Sequence, residues 1–469
     1  APASMQSTGR LIDLIACQKS QPTATADVTR AFFHVDQDEH LLVIPPKSWR
    51  QWRERNGLPS IGHWVLKKWL YGQRKAAFAW TNYFAVSLDS IGFERDPAAP
   101  HFFYSRSREI DLESHADDIH LTGPMGELQK FENEIAGMVK FKYYSIHGVE
   151  SSYEHLKRKR IRSKDGTQIW IDPVHVEKGI ALLGMQNCKP APTPMAAELP
   201  AESVDDPVLN DEDVAKYRTG VCTLLYISGD RPDIQFVVKE LARHLQKPYE
   251  SQFKVLKRLC RYLQGTAGGH IYFPCVGKFE KALAYTDTNW GNCKWSPKST
   301  SSGHLMISGC LLFSYSRTQN TVAGASGIAK SYGVTSVCGE SLFVQGVLQR
   351  SDIDVKFKVM TDSSTAKSIS QRLGVGKLRS IEIRTLWIQE IFQKKEFHIA
   401  KVPGSENFSD IGTKPLSARV LYPLLKAMNF RGIGDVAVDS VNVVSSGSNI
   451  QSMLLKAVEA LCELVRKMA

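Results

Sequence analysis

The sequence predicts an α/β protein of two or three domains, and three observations carry that expectation. Short apolar runs bounded by turn residues alternate with stretches of helical spacing up to about residue 150 and again from Lys281 to Lys414, as in sheets covered by helices. Between them, Gly184 to Pro207 is rich in Pro and Ala (Pro190, Pro192, Pro194, Pro200) and reads as a linker that cannot sustain regular structure. Finally, 469 residues with 43% hydrophobic and 23% charged side chains exceed what one core supports, and the composition is neither disordered nor fibrous.

Taken in order, Ala24 to Phe33 and Leu41 to Ile44 read as short strands. Trp69 to Leu88 carries Phe78, Tyr83, Phe84, Val86 and Leu88 at helical spacing and ends before Gly92, so a helix packed behind strands is expected. His101 to Tyr104 and Ile110 to Gly123 return to strand character, the latter broken by Asp117-Asp118 as a hairpin turn would be. Past the linker, Asp213 to Leu245 and Ser251 to Gln264 read as helices. Strands over Leu283 to Asp287, Lys356 to Thr361 and Phe397 to Val402 follow, with a hairpin over Ser302 to Tyr315 and helices over Gly339 to Gln349 and Arg379 to Gln393. These form a layered sheet domain. Gly432 to Asn449 is expected to be mobile, and Met453 to Met468 to form a terminal amphipathic helix. The expected divisions are 1–150, a basic segment plus linker over 151–212, a helical region over 213–275, an α/β domain over 281–418 and a tail over 432–469.

The 59 Lys+Arg against 48 Asp+Glu give a net charge of +11 and a pI near 9.1, which favours a polyanionic partner. Two places concentrate the charge. Lys157, Arg158, Lys159, Arg160, Arg162 and Lys164 form a dense cluster. Lys254, Lys257, Arg258 and Arg261 lie opposite the apolar Val255, Leu256, Leu259 and Leu263 on one expected helix. Both are candidate nucleic-acid contacts, against the blander reading of solvated faces. No stretch approaches the roughly 20 apolar residues of a membrane span, and the N-terminus has no leader pattern. An intracellular protein, cytoplasmic or nuclear, with no membrane partner is therefore expected. The nine scattered cysteines form no Cys-x-x-Cys pair, which suggests reduced thiols rather than disulfides or a zinc site.

Asp27 closes a strand-like run and opens Asp-Val-Thr-Arg-Ala-Phe-Phe, while Asp117 and Asp118 sit at the hairpin turn. Three such carboxylates brought together would suit hard divalent cations, although an isolated Asp-Asp pair is ordinary turn chemistry. A second arrangement, His115, Asp117, Asp118 and His120, could be read as a transition-metal site. On one continuous strand, however, His115 and Asp117 would face away from Asp118 and His120.

These residues fall in a pattern that resembles the reverse transcriptase of copia-type retrotransposon Pol polyproteins. Asp27 to Phe32 matches Asp-Val-x-x-Ala-Phe, Leu70-Tyr71-Gly72 matches the family's helix entry with Trp80 beyond it, and His115-Ala116-Asp117-Asp118 stands for Tyr-Val-Asp-Asp. Tyr217-Arg218, Leu224-Leu225-Tyr226, Arg231-Pro232-Asp233-Ile234 and Leu256-Lys257-Arg258 through Gly265-Thr266 resemble the segment that follows the polymerase. The resemblance implies an α+β palm-type polymerase domain, a helical thumb- or connection-like region and an RNase-H-like α/β domain. It also implies RNA-directed DNA synthesis with two magnesium ions per active site, the polymerase pair held by Asp27, Asp117 and Asp118, and deoxynucleotide selection by Phe32. Implied partners are an RNA template, a DNA primer, RNA–DNA hybrid and deoxynucleoside triphosphates.

By the same resemblance Asp287, Asp362 and Asp410 are the catalytic and metal-binding aspartates of the RNase H part, in Ala284-Tyr285-Thr286-Asp287, Val359-Met360-Thr361-Asp362-Ser363 and the run after Val402-Pro403-Gly404. The family's Ser-Ser-x-Glu-Ala-Glu is here Ala325-Ser326-Gly327-Ile328-Ala329-Lys330, so both acidic positions are gone, replaced by Ile328 and Lys330. Ile328 cannot ligate magnesium, and Lys330 would put a cation where metal belongs. Glu340, ten residues on and about 15 Å along a helix, is a poor substitute. The sequence opens just ahead of the first polymerase motif, so the fingers strands that grip the triphosphate are expected to be missing. Lys75, Ala77 and His115 depart from the family's Gln, Pro and Tyr. The expectation is a chain impaired as a polymerase and inactive as a ribonuclease H, or else a nucleic-acid-binding remnant.

Overall fold

The computed structural model describes residues 6–197, 206–292, 296–376, 378 and 380–433. The expected tail from residue 434, the helix over Met453 to Met468, Pro200 and Arg379 lie outside the described residues. The architecture is mixed α/β, with three large sheets.

The first sheet is antiparallel, in the order Glu94–Arg95, Phe102–Ser105, Ile110–His115, Asp118–Thr122, Thr23–Val28 and Phe141–His147. Alternation splits its faces. Ala24, Ala26, Leu112, Ile119 and Leu121 point into a core with Trp80, Phe84 and Leu88 from the helix Ala76–Asp89 and Leu128, Phe131 and Ile135 from Met125–Ile135. Thr25, Asp27, Glu113, His115, Asp118 and His120 occupy the other, polar face. The helix expected from Trp69 begins only at Ala76. Residues 70–75 form a turn instead, with Gly72 at φ +92° and the Gln73 side chain accepting the Leu70 N–H. The strand expected to reach Phe33 stops at Val28, and Ala31–His34 is a single 3₁₀ turn after Arg30 at φ +52°.

The second sheet corrects the reading of 151–212 as a basic segment and linker. Its antiparallel strands are Phe430–Arg431, His270–Pro274, Gly166–Ile171, Arg158–Ser163 and Ser151–His155, so this region pairs with chain more than 100 residues away. The linker is also partly packed: Ala191 and Met195 are buried in the core of the helical region. The single helix expected over Asp213 to Leu245 is two, Asp211–Ser228 and Gln235–Ala242. Pro232 interrupts the helix, and a buried Arg231–Asp233 pair at 2.6 Å, joined by the Tyr262 hydroxyl, fixes the corner.

The third sheet runs Cys310–Thr318, Thr300–Ile307, Ala282–Asn289, Phe357–Thr361 and His398–Lys401, antiparallel among the first three and parallel among the last three. Across it lies Ser326–Arg350, a 25-residue helix of which only the second half was expected. Its four interior glycines and many Ser and Thr dilute the apolar period. Gly333 is needed for close approach: a Cβ there would come within 2.6 Å of Thr288 Oγ1. The helix expected from Arg379 is reduced to a 3₁₀ turn, Ile383–Thr385, and Trp387–Gln393.

The helix Gln6–Gln18 has no counterpart in the sequence reading. It touches strands of all three sheets, and Leu11, Ile12, Leu14 and Ile15 are fully buried. Because it is enclosed nearly all round, polar residues on it such as Arg10 and Asp13 are buried too.

Candidate functional site: two sets of carboxylates

Asp27 and Asp118 are cross-strand partners at one end of the polar face of the first sheet. Asp117 occupies the adjoining two-residue turn, and its carbonyl accepts the Val28 N–H at 2.8 Å. The turn is strained, since Ala116 sits at φ +57° where glycine is favoured. The Trp80 indole holds it by donating to the Ala116 carbonyl at 2.7 Å. That bond ties the Trp80 position to the aspartates.

Burial pushes the Asp118 carboxyl up from its ordinary value, and the charges of Asp117 and Asp27 add to the effect. The nearest cation to Asp27 is Lys142, at a loose 3.6 Å and largely exposed. Phe32 stands beside this end of the sheet with its ring 4.5 Å from that of Tyr71. Burial raises the Tyr71 phenol, and Asp117 and Asp27 raise it further, which places that ring within their field.

The hairpin corrects the strand argument about the histidines. His115 pairs with Asp118 across the turn, so His115, Asp118 and His120 share a face. His120 is nonetheless fully buried, 3.1 Å from the Tyr153 hydroxyl. Among the described residues no three His, Cys, Asp or Glu side chains are grouped to hold a metal ion.

In the third sheet, Asp287 lies on the central strand, Asp362 follows Phe357–Thr361, and Asp410 sits in the 3₁₀ turn Phe408–Gly412. Lys330, in the first turns of the long helix, enters between them. Its Nζ donates to both oxygens of Asp362 at 2.7 Å and lies 3.1 Å from Asp287 Oδ1. Burial opposes the Asp287 charge, but Lys330 and the Thr413 hydroxyl at 2.9 Å outweigh it and hold the carboxyl below its usual range. Burial, with Asp287 alongside, pushes Asp410 up to about 6 although Lys414 is 2.9 Å away. A divalent ion does not fit this set, because an ammonium already occupies the meeting point of Asp287 and Asp362. Ile328 is elsewhere, in a small core with Tyr332, Ile369 and Ile381. Glu340 pairs with Arg317 at 2.6 Å and takes no part.

The structure divides the expected basic surfaces between inward and outward side chains. On the strand Arg158–Ser163 alternation turns Arg158, Arg160 and Arg162 inward. Arg160 bonds Asp13 at 2.7 Å, Arg158 bonds Asp230 at 2.8 Å beside Arg10, and Arg162 donates to backbone carbonyls including Gln21 at 2.7 Å. Only Lys157, Lys159 and Lys164 remain exposed. On the helix Glu250–Gly265, Arg258 donates to Thr193 Oγ1 and Arg261 to the Lys189 carbonyl, fastening the Pro-rich stretch. Lys254 pairs with Glu250 at 2.9 Å and Lys257 lies over the Phe253 ring.

Sequence reasoning also missed a polar network behind the aspartates. A cavity of about 540 Å³ borders Asp118 and is lined by Arg10, Glu113, His155, Arg158, Tyr226 and others. Glu113 accepts from Thr8 Oγ1 at 2.7 Å, and burial pushes its carboxyl up to about 7. Burial likewise raises Asp111, on the same strand, to about 6. For a carboxyl raised on folding, the unfolded chain loses its proton first as pH rises. Stability is therefore expected to fall between about pH 4.5 and 7, at about 1.4 kcal/mol per pH unit for Glu113 alone. Urea denaturation at pH 5 and 7 checks this: Glu113→Gln should flatten the slope, and an unchanged slope would contradict it.

Residues 1–197 match the model of the reverse transcriptase (RNA-dependent DNA polymerase) family. The chain is 25% identical over 429 residues to the retrovirus-related Pol polyprotein from transposon TNT 1-94 of Nicotiana tabacum, covering 88% of this chain and 31% of that protein. It is 25% identical over 423 residues to the corresponding protein from transposon RE1 of Arabidopsis thaliana, covering 89% and 28%. The chain thus spans about a third of the length of these two relatives. Among solved structures, the foamy viral protease-reverse transcriptase dRH in complex with double-stranded DNA superposes with a TM-score of 0.48 at 10% identity, over 86% of this chain and 60% of that one.

Proposed function

This chain belongs with the Pol polyproteins of copia-type retrotransposons, and from that premise we propose that it performs RNA-directed DNA synthesis at the first sheet and no hybrid cleavage at the third. The observation that carries the reading is the contrast between two carboxylate sets. Lys330 spans Asp287 and Asp362, whereas among the described residues no cation bridges Asp117 and Asp118, and Asp27 has the loose contact with Lys142.

Although the three carboxylates are not grouped as a metal site in this structure, their chemistry suits a hard divalent cation: Asp27 and Asp118 are cross-strand partners, Asp117 adjoins them in the turn, and Asp118 is raised in part by repulsion that a cation would relieve. Asp27, Asp117 and Asp118 would hold it. Magnesium bound there, two ions by family, supplies activation of the primer 3′-hydroxyl and neutralisation of charge on the leaving oxygen. The chain itself positions the reactants. The turn bearing Asp117 is held by Trp80, and the Phe32 ring, braced by Tyr71, crowds a ribose 2′-hydroxyl and so selects deoxynucleoside triphosphates. An RNA template and DNA primer are the substrates, and RNA–DNA hybrid is the product. We place this work inside the cell, cytoplasmic or nuclear, a setting supported by seven free cysteines among the described residues. None of the described helices is long and apolar enough to cross a membrane.

Primer extension on an RNA template with magnesium tests the proposal. Deoxynucleotide incorporation is expected, and Asp117→Asn should lower it by roughly two to three orders of magnitude with hybrid affinity little changed. Salt-sensitive hybrid binding without extension would instead establish the non-enzymatic remnant.

A further inference from the structure

With Arg160 and Arg162 buried and Arg158 held by Asp230, part of the positive charge free to meet a polyanion lies outside that strand. The chain between Phe32 and Tyr71 leaves the first sheet as an arm. Its base is pinned beside the candidate aspartates, where Trp69 N bonds the Val35 carbonyl at 3.2 Å and Gln37 N bonds that of Lys67 at 2.9 Å. A two-stranded ribbon, Leu42–Val43 with Trp64–Val65, carries the arm outward, and the helix Lys47–Arg55 lies across its tip.

That helix has nine residues and none is buried. So short a helix is marginal in water unless tertiary contacts support it. Its supports include Trp49, edge-on to Trp64 at 4.8 Å, Arg53, stacked on Trp49 and donating to the Pro59 carbonyl, and Asn56, whose side chain donates to the Trp52 carbonyl at 2.7 Å. The rest of its surface faces solvent: Lys47, Arg50 and Arg55, with Trp52 54% exposed. The helix has four basic residues against the single acid Glu54. Of the acids near the base of the arm, Asp36 pairs with Lys68 and Glu39 with Lys75, which leaves Asp38 and Glu54 against the four basic residues of the helix. Exposed cations interleaved with an exposed indole suit one ligand chemistry: a single-stranded polynucleotide, whose phosphates meet the cations while a base stacks on the ring.

We infer that the helix Lys47–Arg55 is a docking surface for single-stranded nucleic acid, with Arg50 and Arg55 holding phosphates and Trp52 stacking a base. Resting on the polymerase reading, the strand it holds is the unpaired template ahead of the primer end. From the pinned Val35 to Lys47 the chain, at about 3.3 Å per residue, reaches at most about 40 Å.

Binding of primer–template without divalent metal tests this separately from catalysis. Two duplexes are compared, one blunt and one with a template overhang of about twenty nucleotides, longer than the roughly twelve that about 40 Å requires at about 3.4 Å each. The unmodified chain is expected to prefer the overhang. Arg50→Ala/Trp52→Ala/Arg55→Ala should bind the overhang at least roughly tenfold more weakly and the blunt duplex equally well, with a salt slope lower by about 1.4. Because none of the three side chains is buried, the fold is expected to survive. Unchanged overhang affinity, or equal loss on both duplexes, overturns the inference. Loss of extension in the unmodified chain with the overhang preference intact would overturn the polymerase reading and leave this one standing.

Discussion

The Lys330→Ala variant is expected to lose about 2–4 kcal/mol of folding stability and to regain part of it in millimolar magnesium. Among the described residues Lys330 is the cation that pairs with both Asp287, which is 6% exposed, and Asp362, which is 25% exposed. Without the ammonium the two carboxylates face each other in a site that excludes most water. Breaking a buried ion pair costs about 3–5 kcal/mol, and the partial exposure of Asp362 and Lys330 trims that figure. A divalent ion then becomes the natural replacement. Thermal unfolding in magnesium and in chelator should show a larger metal-dependent gain for the variant than for the unmodified chain. Equal gains, or a neutral substitution, would mean that Lys330 does not hold the site closed.

Arg160→Met should be at least as costly, about 3–5 kcal/mol, because both members of the Arg160–Asp13 pair are almost fully buried. Most of the loss comes from stranding Asp13 rather than from the bond itself. The double variant Arg160→Met/Asp13→Leu is therefore expected to recover most of the stability, as measured by urea denaturation. The salt dependence of nucleic-acid binding should not change in the double variant, since a guanidinium sealed between helix and sheet neutralises no phosphate. A lower salt slope would return Arg160 to the binding surface.

What could be read in the sequence follows from physical scale. Asp27, Asp117 and Asp118 were legible because a strand end and a tight turn are local patterns, and the register that joins Asp27 to Asp118 follows from pairing those strands. The closing of the third-sheet site was legible too, since Lys330 replaces an acid at a motif position and its charge needs no tertiary knowledge to interpret. The basic cluster misled because a count of charges ignores the period of two. On a strand every second residue of 157–164 turns inward, and the partners that make burial of Arg158 and Arg160 tolerable, Asp230 and Asp13, lie far away in sequence. The helix Gln6–Gln18 was hidden for a related reason. Its apolar period, Leu11, Ile12, Leu14 and Ile15, is present, but its burial on most sides against three sheets is a tertiary fact that no local pattern reports.

The central claim is that one carboxylate set works while the other is locked by a lysine. A single primer-extension reaction on an end-labelled RNA template, followed on both strands in magnesium, tests it most directly. The predicted result is a lengthening DNA primer, abolished by Asp117→Asn, over RNA that stays intact. RNA cleavage in the growing hybrid by the unmodified chain, lost in Asp362→Asn, would contradict it.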